Sequence, residues 1–326
     1  MQGILKYVIR RLLQMLLTLF VLITILFFMF RVIPGDPVSM YIEAGLGQEA
    51  QQVLLKQYGL DKPLFQQYII YIKAVFKGDF GISFQYGKPA IQVIGERFWN
   101  TLILMITSLS IAFLLGIVGG AILAWKRGTV LESVGIIGAL ILRCAPVFWT
   151  GMIFLSIFAF KFKIFPLGGM NTPGTYFDFQ YQKFLSLDFL KHLTLPALTA
   201  SLYSVATPLL VMRTSMLEVI KEDFIELARA KGLKEWKILF KHAMRNALLP
   251  VITVFAVQAG LAIGGIVLVE TVFRWPGMGR EIVLAVAARD YPVAQTAFFL
   301  IGTMTVLFNI IADVLYAYLD PRVTWQ

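Results

Sequence analysis

Hydrophobic residues are concentrated in six long apolar stretches that polar segments separate. A helix needs about 20 mostly apolar residues to cross the roughly 30 Å hydrocarbon core of a bilayer, and each stretch has about that length. The predicted spans are residues 12–30, 101–124, 134–160, 193–212, 248–269 and 294–315. Because only closed hydrogen-bonded structures can span lipid, the pattern predicts an all-α polytopic membrane protein with six transmembrane helices.

The third apolar stretch contains two unusual residues. Pro146 lacks a backbone N–H and clashes with the preceding turn, so we expect a kink there. Arg143 brings a charge into the membrane, which is costly unless the charge is paired or hydrated, and it is therefore a candidate residue of a transport pathway. The alternative is a structural ion pair or snorkelling toward the inner surface. Asp313 in the sixth stretch is a candidate partner for Arg143, or for Arg213 at the end of the fourth.

Small residues recur at every fourth position of two predicted spans. The second span has Ala112, Gly116, Gly120 and Ala124, and the fifth has Ala256, Gly260 and Gly264. Small residues in this register let another helix approach closely. The pattern therefore predicts packing seams rather than ligand sites.

The most charged segment of the chain, residues 217–249, connects the fourth and fifth spans. Gly232 divides it, since a glycine can take the left-handed conformation that ends a helix, and Leu233 can then fold back onto the last turn. The predicted apolar faces are Leu217, Ile220, Phe224 and Leu227 before the glycine and Trp236, Leu239, Phe240, Ala243 and Ala247 after it, beside a basic stripe of Lys234, Lys237, Lys241 and Arg245. This pattern indicates a helix–turn–helix that docks into a groove of another protein. A basic segment held against anionic lipid is the alternative.

The distribution of charge predicts the orientation in the membrane. The net charge is +10, and the basic clusters lie beside apolar spans at residues 6–11, 126–127 and 213–245. Residues 36–97 carry six basic and six acidic side chains, which suits the outer face. We therefore predict a multi-pass protein of the cell inner membrane with both termini in the cytoplasm.

Several chemistries are excluded by what the sequence lacks. The basic clusters are not interleaved with aromatic residues, so nucleic acid is a poor candidate partner. His192 and His242 form no HExxH pair, and no G-x-S-x-G segment occurs. Residues 81–89 resemble a phosphate-binding loop, but the glycines are one position too far apart and Pro89 stands where Ser or Thr would bind magnesium. We expect no enzymatic activity, no metal site and no cofactor in this chain, and the single Cys144 allows no internal disulfide.

Short motifs in the charged segment resemble those of membrane subunits of ABC importers. That family has a Glu-Ala-Ala triplet, three further residues, a Gly and later a Leu-Pro; here Glu226-Leu-Ala228, Gly232 and Leu249-Pro250 match, with Leu227 in place of the first alanine. Further motifs resemble the B-type permease of the dipeptide, oligopeptide and nickel branch. They are 33–37 (IPGDP), 96–101 (ERFWNT), 228–232 (ARAKG), 245–250 (RNALLP), 270–273 (ETVF), 275–280 (WPGMGR), 289–292 (RDYP) and 320–322 (DPR).

The resemblance implies a type I ABC importer permease fold. Residues 1–95 would form the first transmembrane helix and a long extracytoplasmic loop, and residues 96–326 a permease core with five transmembrane helices and a cytoplasmic coupling loop at 217–249. It also implies a second homologous permease, two ABC ATPases that carry ATP and magnesium, and an extracytoplasmic substrate-binding protein. The expected ATPase-coupling residues are Phe224, Glu226, Ala228, Lys231, Gly232 and Leu233.

The cargo is left open by the sequence. Di- and oligopeptides are the commonest cargo of the branch that the chain resembles, and nickel chelates, glutathione and oligosaccharides are the alternatives. A stand-alone secondary transporter with Arg143 and Asp313 on an ion route is the alternative from another class. It is disfavoured because no internal repeat is evident.

Overall fold

The computed structural model describes residues 2–32, 61–175 and 182–319, with the side chains of 2–8, 32, 263–265 and 312–319 left out. The motifs at 33–37 and 320–322 and the side chain of Asp313 lie outside this description. Helices make up most of the described chain. They are α1 (Gln2–Val32), α2 (Leu64–Phe76), α3 (Ala90–Trp125), α4 (Val130–Cys144), α5 (Val147–Phe154), α6 (Gln182–Leu185), α7 (Leu187–Ser204), α8 (Ala206–Val219), α9 (Asp223–Ala230), α10 (Glu235–Lys237), α11 (Met244–Val272), α12 (Met278–Ala287) and α13 (Tyr291–Leu319).

Two further segments continue these helices with π-helical hydrogen bonding. Leu155–Lys161 extends α5, and Ile238–Ala243 connects α10 to α11. Such π turns are rare and accommodate an extra residue in a helix.

Four helical segments of the described chain are long and apolar enough to cross a membrane, and two bent helix pairs raise the number to six. The four are Ile9–Arg31, Ala90–Trp125, Glu235–Ala262 and Tyr291–Ile311. The bent pairs are Val130–Cys144 with Val147–Lys161, at 99°, and Leu187–Ser204 with Ala206–Val219, at 46°. The prediction of an all-α polytopic membrane protein is confirmed.

Proline explains the position of both bends. Ala145, which precedes Pro146, has an extended backbone with φ −66° and ψ 130°, because a residue before proline is disfavoured in the helical region. The kink predicted at Pro146 is therefore confirmed. Pro208, in the first turn of α8, has no N–H to donate to the carbonyl of Ser204, so the helical ladder is interrupted where α7 ends.

The chain divides into two compact units. The first consists of Met1–Asn100 and Gly277–Val306, and the second of Thr101–Pro276 and Leu307–Gln326. The sequence prediction divided the chain at residue 95 and assigned everything after it to the core. The first compact unit also includes Gly277–Val306, a segment near the carboxyl end that the predicted division placed in the core.

Buried polar contacts attach that late segment to the rest of the first unit. Asp290 is fully buried, and its carboxylate accepts hydrogen bonds from the hydroxyl of Ser83 and, at 3.1 Å, from the backbone N–H of Gln85. The hydroxyl of Tyr86 donates to Glu281 at 2.8 Å. Burial, and then this hydrogen bond, raise the pKa of Tyr86. The segment that resembles a phosphate-binding loop thus has a structural role.

The packing seam predicted along the second span, which lies in the second unit, is confirmed. Ala112 and Ala124 on α3 are buried, and Gly116 and Gly120 face α8. A Cβ atom on Gly116 would lie 2.7 Å from Pro208, and one on Gly120 would overlap the carbonyl oxygen of Leu209. The helix backbones therefore approach so closely that only glycine fits at these positions.

Candidate functional site

The charged segment between α8 and α11 folds into a compact loop, here called the elbow (residues 220–243). Helix α9 packs against the π-helical turn Ile238–Ala243. Gly232 joins the two halves with a φ of +72°. Its N–H donates to Arg229 O at 2.8 Å and the N–H of Leu233 donates to Ala228 O at 3.3 Å, the hydrogen-bond pair of a Schellman cap. The predicted left-handed turn at Gly232 is confirmed.

The buried face of α9 differs from the predicted one. Ile225 is 0% exposed and Ala228 is buried, whereas Phe224 and Leu227 are 38% and 55% exposed. The prediction of one apolar face from Leu217 to Leu227 is wrong, because α8 ends at Val219 and a new helix begins at Asp223. The helical period therefore does not continue across the break.

The second half of the elbow shows the same division into an inner and an outer side. Ile238, Leu239 and Ala243 are buried. Trp236 and Phe240, predicted on the same face as Leu239, are 63% and 39% exposed. The elbow therefore has its own small core and carries four large apolar side chains on its surface. These outer residues are Phe224, Leu227, Trp236 and Phe240.

Arg229 connects α9 to its surroundings. Its guanidinium lies 5.5 Å from the ring centroid of Trp125, the last residue of α3, and its Nε is 3.4 Å from Oε1 of Glu235. Both members of the ion pair are exposed, so it contributes little stability. The acidic side chains of Asp223 and Glu226 lie in the first turn of α9, where they interact favourably with the helix dipole.

The six predicted coupling residues divide by their exposure. Phe224, Glu226, Lys231 and Gly232 are exposed and Leu233 is partly buried. Ala228 is buried, and its side chain therefore packs the inside of the elbow rather than its surface. The coupling role of the group stays a prediction.

Of the three predicted membrane charges, the side chains of Arg143 and Arg213 are described. Arg213 forms an ion pair with Glu132, donating from Nε at 2.8 Å and also from Nη2 to the same oxygen. Glu132 is buried and accepts a further hydrogen bond from the N–H of Gly128 at 2.6 Å. Among the described residues the carboxylate partner of Arg213 is Glu132, and the pairing of Asp313 with Arg213 or Arg143 stays a prediction.

Sequence reasoning missed Glu132, although a signal was present. Glu132 is the only acidic residue between Arg97 and Asp178, and it stands at the start of an apolar span. A buried carboxylate needs a partner, and Arg213, at the end of another span on the same predicted side of the membrane, was one basic candidate. The pair joins the first turn of α4 to α8, the helix that leads into the elbow.

Arg143 lies at the end of α4, beside a cavity of about 180 Å³ in the second unit. Its guanidinium carbon is 4.5 Å from the ring centroid of Tyr203. The cavity is bordered by both helix breaks, with Val147 following the first and Ser204 preceding the second. Irregular backbone at membrane depth is tolerated where it lines such a cavity.

Two matches to one protein family cover most of the chain. The family described as binding-protein-dependent transport system inner membrane component matches residues 116–325, and its amino-terminal counterpart matches residues 4–107. The first match begins within α3 and includes the whole elbow, and the second ends within α3.

Several curated proteins are similar over nearly their whole length. A putative peptide permease protein of Brucella suis is 38% identical over 322 residues, covering 98% of this chain and 99% of the relative. The dipeptide transport system permease protein of Escherichia coli K12 is 36% identical over 335 residues, covering 98% of each. The oligopeptide transport system permease protein of Bacillus subtilis is 35% identical over 320 residues, covering 98% of this chain and 99% of the relative.

Proposed function

Because the chain belongs to the family of binding-protein-dependent transport system inner membrane components, we propose that it is the membrane-spanning permease of an ATP-driven peptide importer. The support for peptide cargo is the naming of three relatives, at 35–38% identity, as peptide, dipeptide and oligopeptide permeases. The chain itself would supply the passage. Hydrolysis of ATP would take place on separate subunits.

The observation that carries the proposal is the surface of the elbow. Four large apolar side chains are exposed on a segment that leads directly into two spans, and the Schellman cap at Gly232 fixes the angle between its halves. An exposed apolar surface on a rigid, charged loop fits a groove on a protein partner. Movement of that partner would be transmitted to the spans through packed contacts as a rigid-body displacement.

The proposed assembly follows from this role. Two ATPases would bind the elbows of this chain and of a second homologous permease, and an extracytoplasmic binding protein would deliver the peptide. The elbow is basic, with Lys231, Lys234 and Lys241 exposed, which favours its location and that of both termini on the cytoplasmic side.

Uptake by proteoliposomes tests this function. The chain is reconstituted with the second permease, the ATPases and the binding protein, and entry of a labelled tripeptide is measured. We expect uptake with ATP and none with a non-hydrolysable analogue or without the binding protein. If nickel chelates, glutathione or oligosaccharides compete with the labelled tripeptide and other peptides do not, the assignment of peptides as the cargo is wrong. If the chain alone takes up the tripeptide when an ion gradient is applied, the assignment as an ATP-driven importer is wrong.

A further inference from the structure

The cavity beside Arg143 is lined by residues from the middle of two long helices. Gln258, which lines it, is the midpoint of α11 (Met244–Val272), and Ser108, also in its wall, lies close to the midpoint of α3 (Ala90–Trp125). Its volume of about 180 Å³ exceeds the roughly 150 Å³ of an engineered cavity that holds benzene. The cavity can therefore hold the end group of a solute at mid-membrane.

Arg143 brings a positive charge to this cavity. Its guanidinium lies over the ring of Tyr203, and it forms no hydrogen bond or ion pair with any residue in the described part of the chain. The amide of Gln258, which shares the cavity, likewise has no recorded side-chain hydrogen bond there. A charged group at this depth is retained where it serves a partner or a hydrated path.

The position of Tyr203 leaves the hydrogen-bonding edge of Arg143 available. A guanidinium that lies over an aromatic face is attracted by the ring, while its five N–H donors point outward in the guanidinium plane. This arrangement orients the side chain without occupying its donors. The ligand that matches such a fork, in charge and in geometry, is a carboxylate bound through two parallel hydrogen bonds.

Further groups in the cavity wall suit the same ligand. Ser204 lies where Pro208 interrupts the helical ladder, and its hydroxyl has no recorded hydrogen bond among the described residues. Gln258 can donate through its amide. The cavity wall beyond them is apolar at Leu109 and Ile266, which are both buried, and a charge-assisted hydrogen bond is stronger beside such apolar groups than in water.

We infer that Arg143, oriented by Tyr203, binds the C-terminal carboxylate of the peptide as it passes the middle of the membrane. The inference rests on the proposed function, since it takes a peptide as the solute. Every unmodified peptide presents one carboxylate at its end whatever its sequence. A site for that group therefore recognises peptides as a class and leaves side-chain preference to the binding protein.

A double comparison in the reconstituted complex tests this contact. Transport of a tripeptide with a free C-terminus and of its C-terminal amide is measured for the wild type and for Arg143→Gln, with the binding protein saturated. We expect Arg143→Gln to slow the free acid by about 10- to 100-fold, the range for a charge-assisted hydrogen bond, and the amide by less than about twofold. The binding protein is common to all four measurements, so its own preference cancels.

Two variants of other kinds control for structural damage. Arg143→Lys keeps the charge but loses the bidentate fork, and we expect it to reduce the preference for the free acid only in part. Tyr203→Leu removes the ring over which the guanidinium lies and should lower transport of the free acid selectively.

Photo-cross-linking of a tripeptide with a central benzoylphenylalanine gives a second readout that needs no turnover. The free acid should label the cavity wall in the wild type, and Arg143→Gln should abolish that labelling. The inference is wrong if Arg143→Gln slows transport of the free acid and of the amide equally, or if it leaves the labelling unchanged. Equal slowing of both peptides would show that Arg143 instead contacts a partner subunit or lipid, or stabilises the end of α4. If the wild type shows no ATP-dependent peptide uptake, the proposed function fails instead.

Discussion

Replacing Gly120 with Val should prevent the second unit from folding stably. A Cβ atom there would overlap the carbonyl oxygen of Leu209 and lie 2.8 Å from the Cβ of Met212, and neither backbone nor Cβ can move aside without separating α3 from α8. Overpacking of this kind costs about 1–3 kcal/mol for one added carbon, and valine adds three. The yield and melting temperature of the detergent-solubilised protein measure the effect.

Its neighbour on the same helix supplies a matched control. A Cβ atom on Gly119 would meet only the terminal methyl of Leu209, at 3.4 Å, an ordinary contact with a flexible side chain. Gly119→Ala should leave the melting temperature nearly unchanged. Gly120→Ala should lower the melting temperature, because it reduces the free energy of unfolding by about 1–3 kcal/mol. Equal effects of the two alanine variants would show that α3 and α8 do not pack as described.

Gly232→Val should abolish coupling while leaving membrane insertion intact. An L-residue costs roughly 1–2 kcal/mol in the left-handed region, and a β-branched one more. A side chain would meet nothing within 4 Å, so the cost is one of backbone conformation alone. Loss of the cap frees the last turn of α9 and displaces Lys231 and Leu233. We expect a reduction of about tenfold or more in peptide-stimulated ATP hydrolysis by the reconstituted complex.

Two substitutions separate backbone conformation from other effects. Gly232→Asn should retain most of the stimulation, because asparagine tolerates the left-handed region better than other residues. Gly138→Ala, at a glycine in α4 that also faces open space but has an ordinary helical φ, should have no effect. Normal stimulation in Gly232→Val would refute the role of the elbow angle.

Local signals in the sequence predicted much of this architecture. The apolar stretches predicted the spans, Pro146 the bend in the third, and Gly232 the cap within the elbow. Each depends on the chemistry of a few neighbouring residues: burial of a continuous apolar run, a missing N–H, or a missing Cβ. The seam at Gly120 was also predictable, because the spacing of small residues on one helix is itself local.

Features that depend on residues distant in sequence were missed or misassigned. The contact of Ser83 with Asp290 joins residues 207 positions apart, and nothing near either indicates the other. The pairing of Arg213 with Glu132 required knowing which spans are neighbours. The buried face of α9 was misassigned because one helical period was continued through a turn, so that Phe224 was expected beside Ile220 rather than on the outer side.

Site-directed photo-cross-linking tests most directly whether the elbow is where the ATPases bind. Changing Cys144 to Ser removes the only cysteine, and a photoreactive maleimide is then attached to Leu227→Cys on the outer face of α9 in the assembled complex. Two controls are Ile225→Cys, whose position is fully buried, and Leu167→Cys, which is 62% exposed and lies between the third and fourth predicted spans, at the end opposite to the elbow. We predict an ATPase adduct from Leu227→Cys and from neither control. An adduct to lipid alone from Leu227→Cys, or an ATPase adduct from Leu167→Cys, would contradict the account.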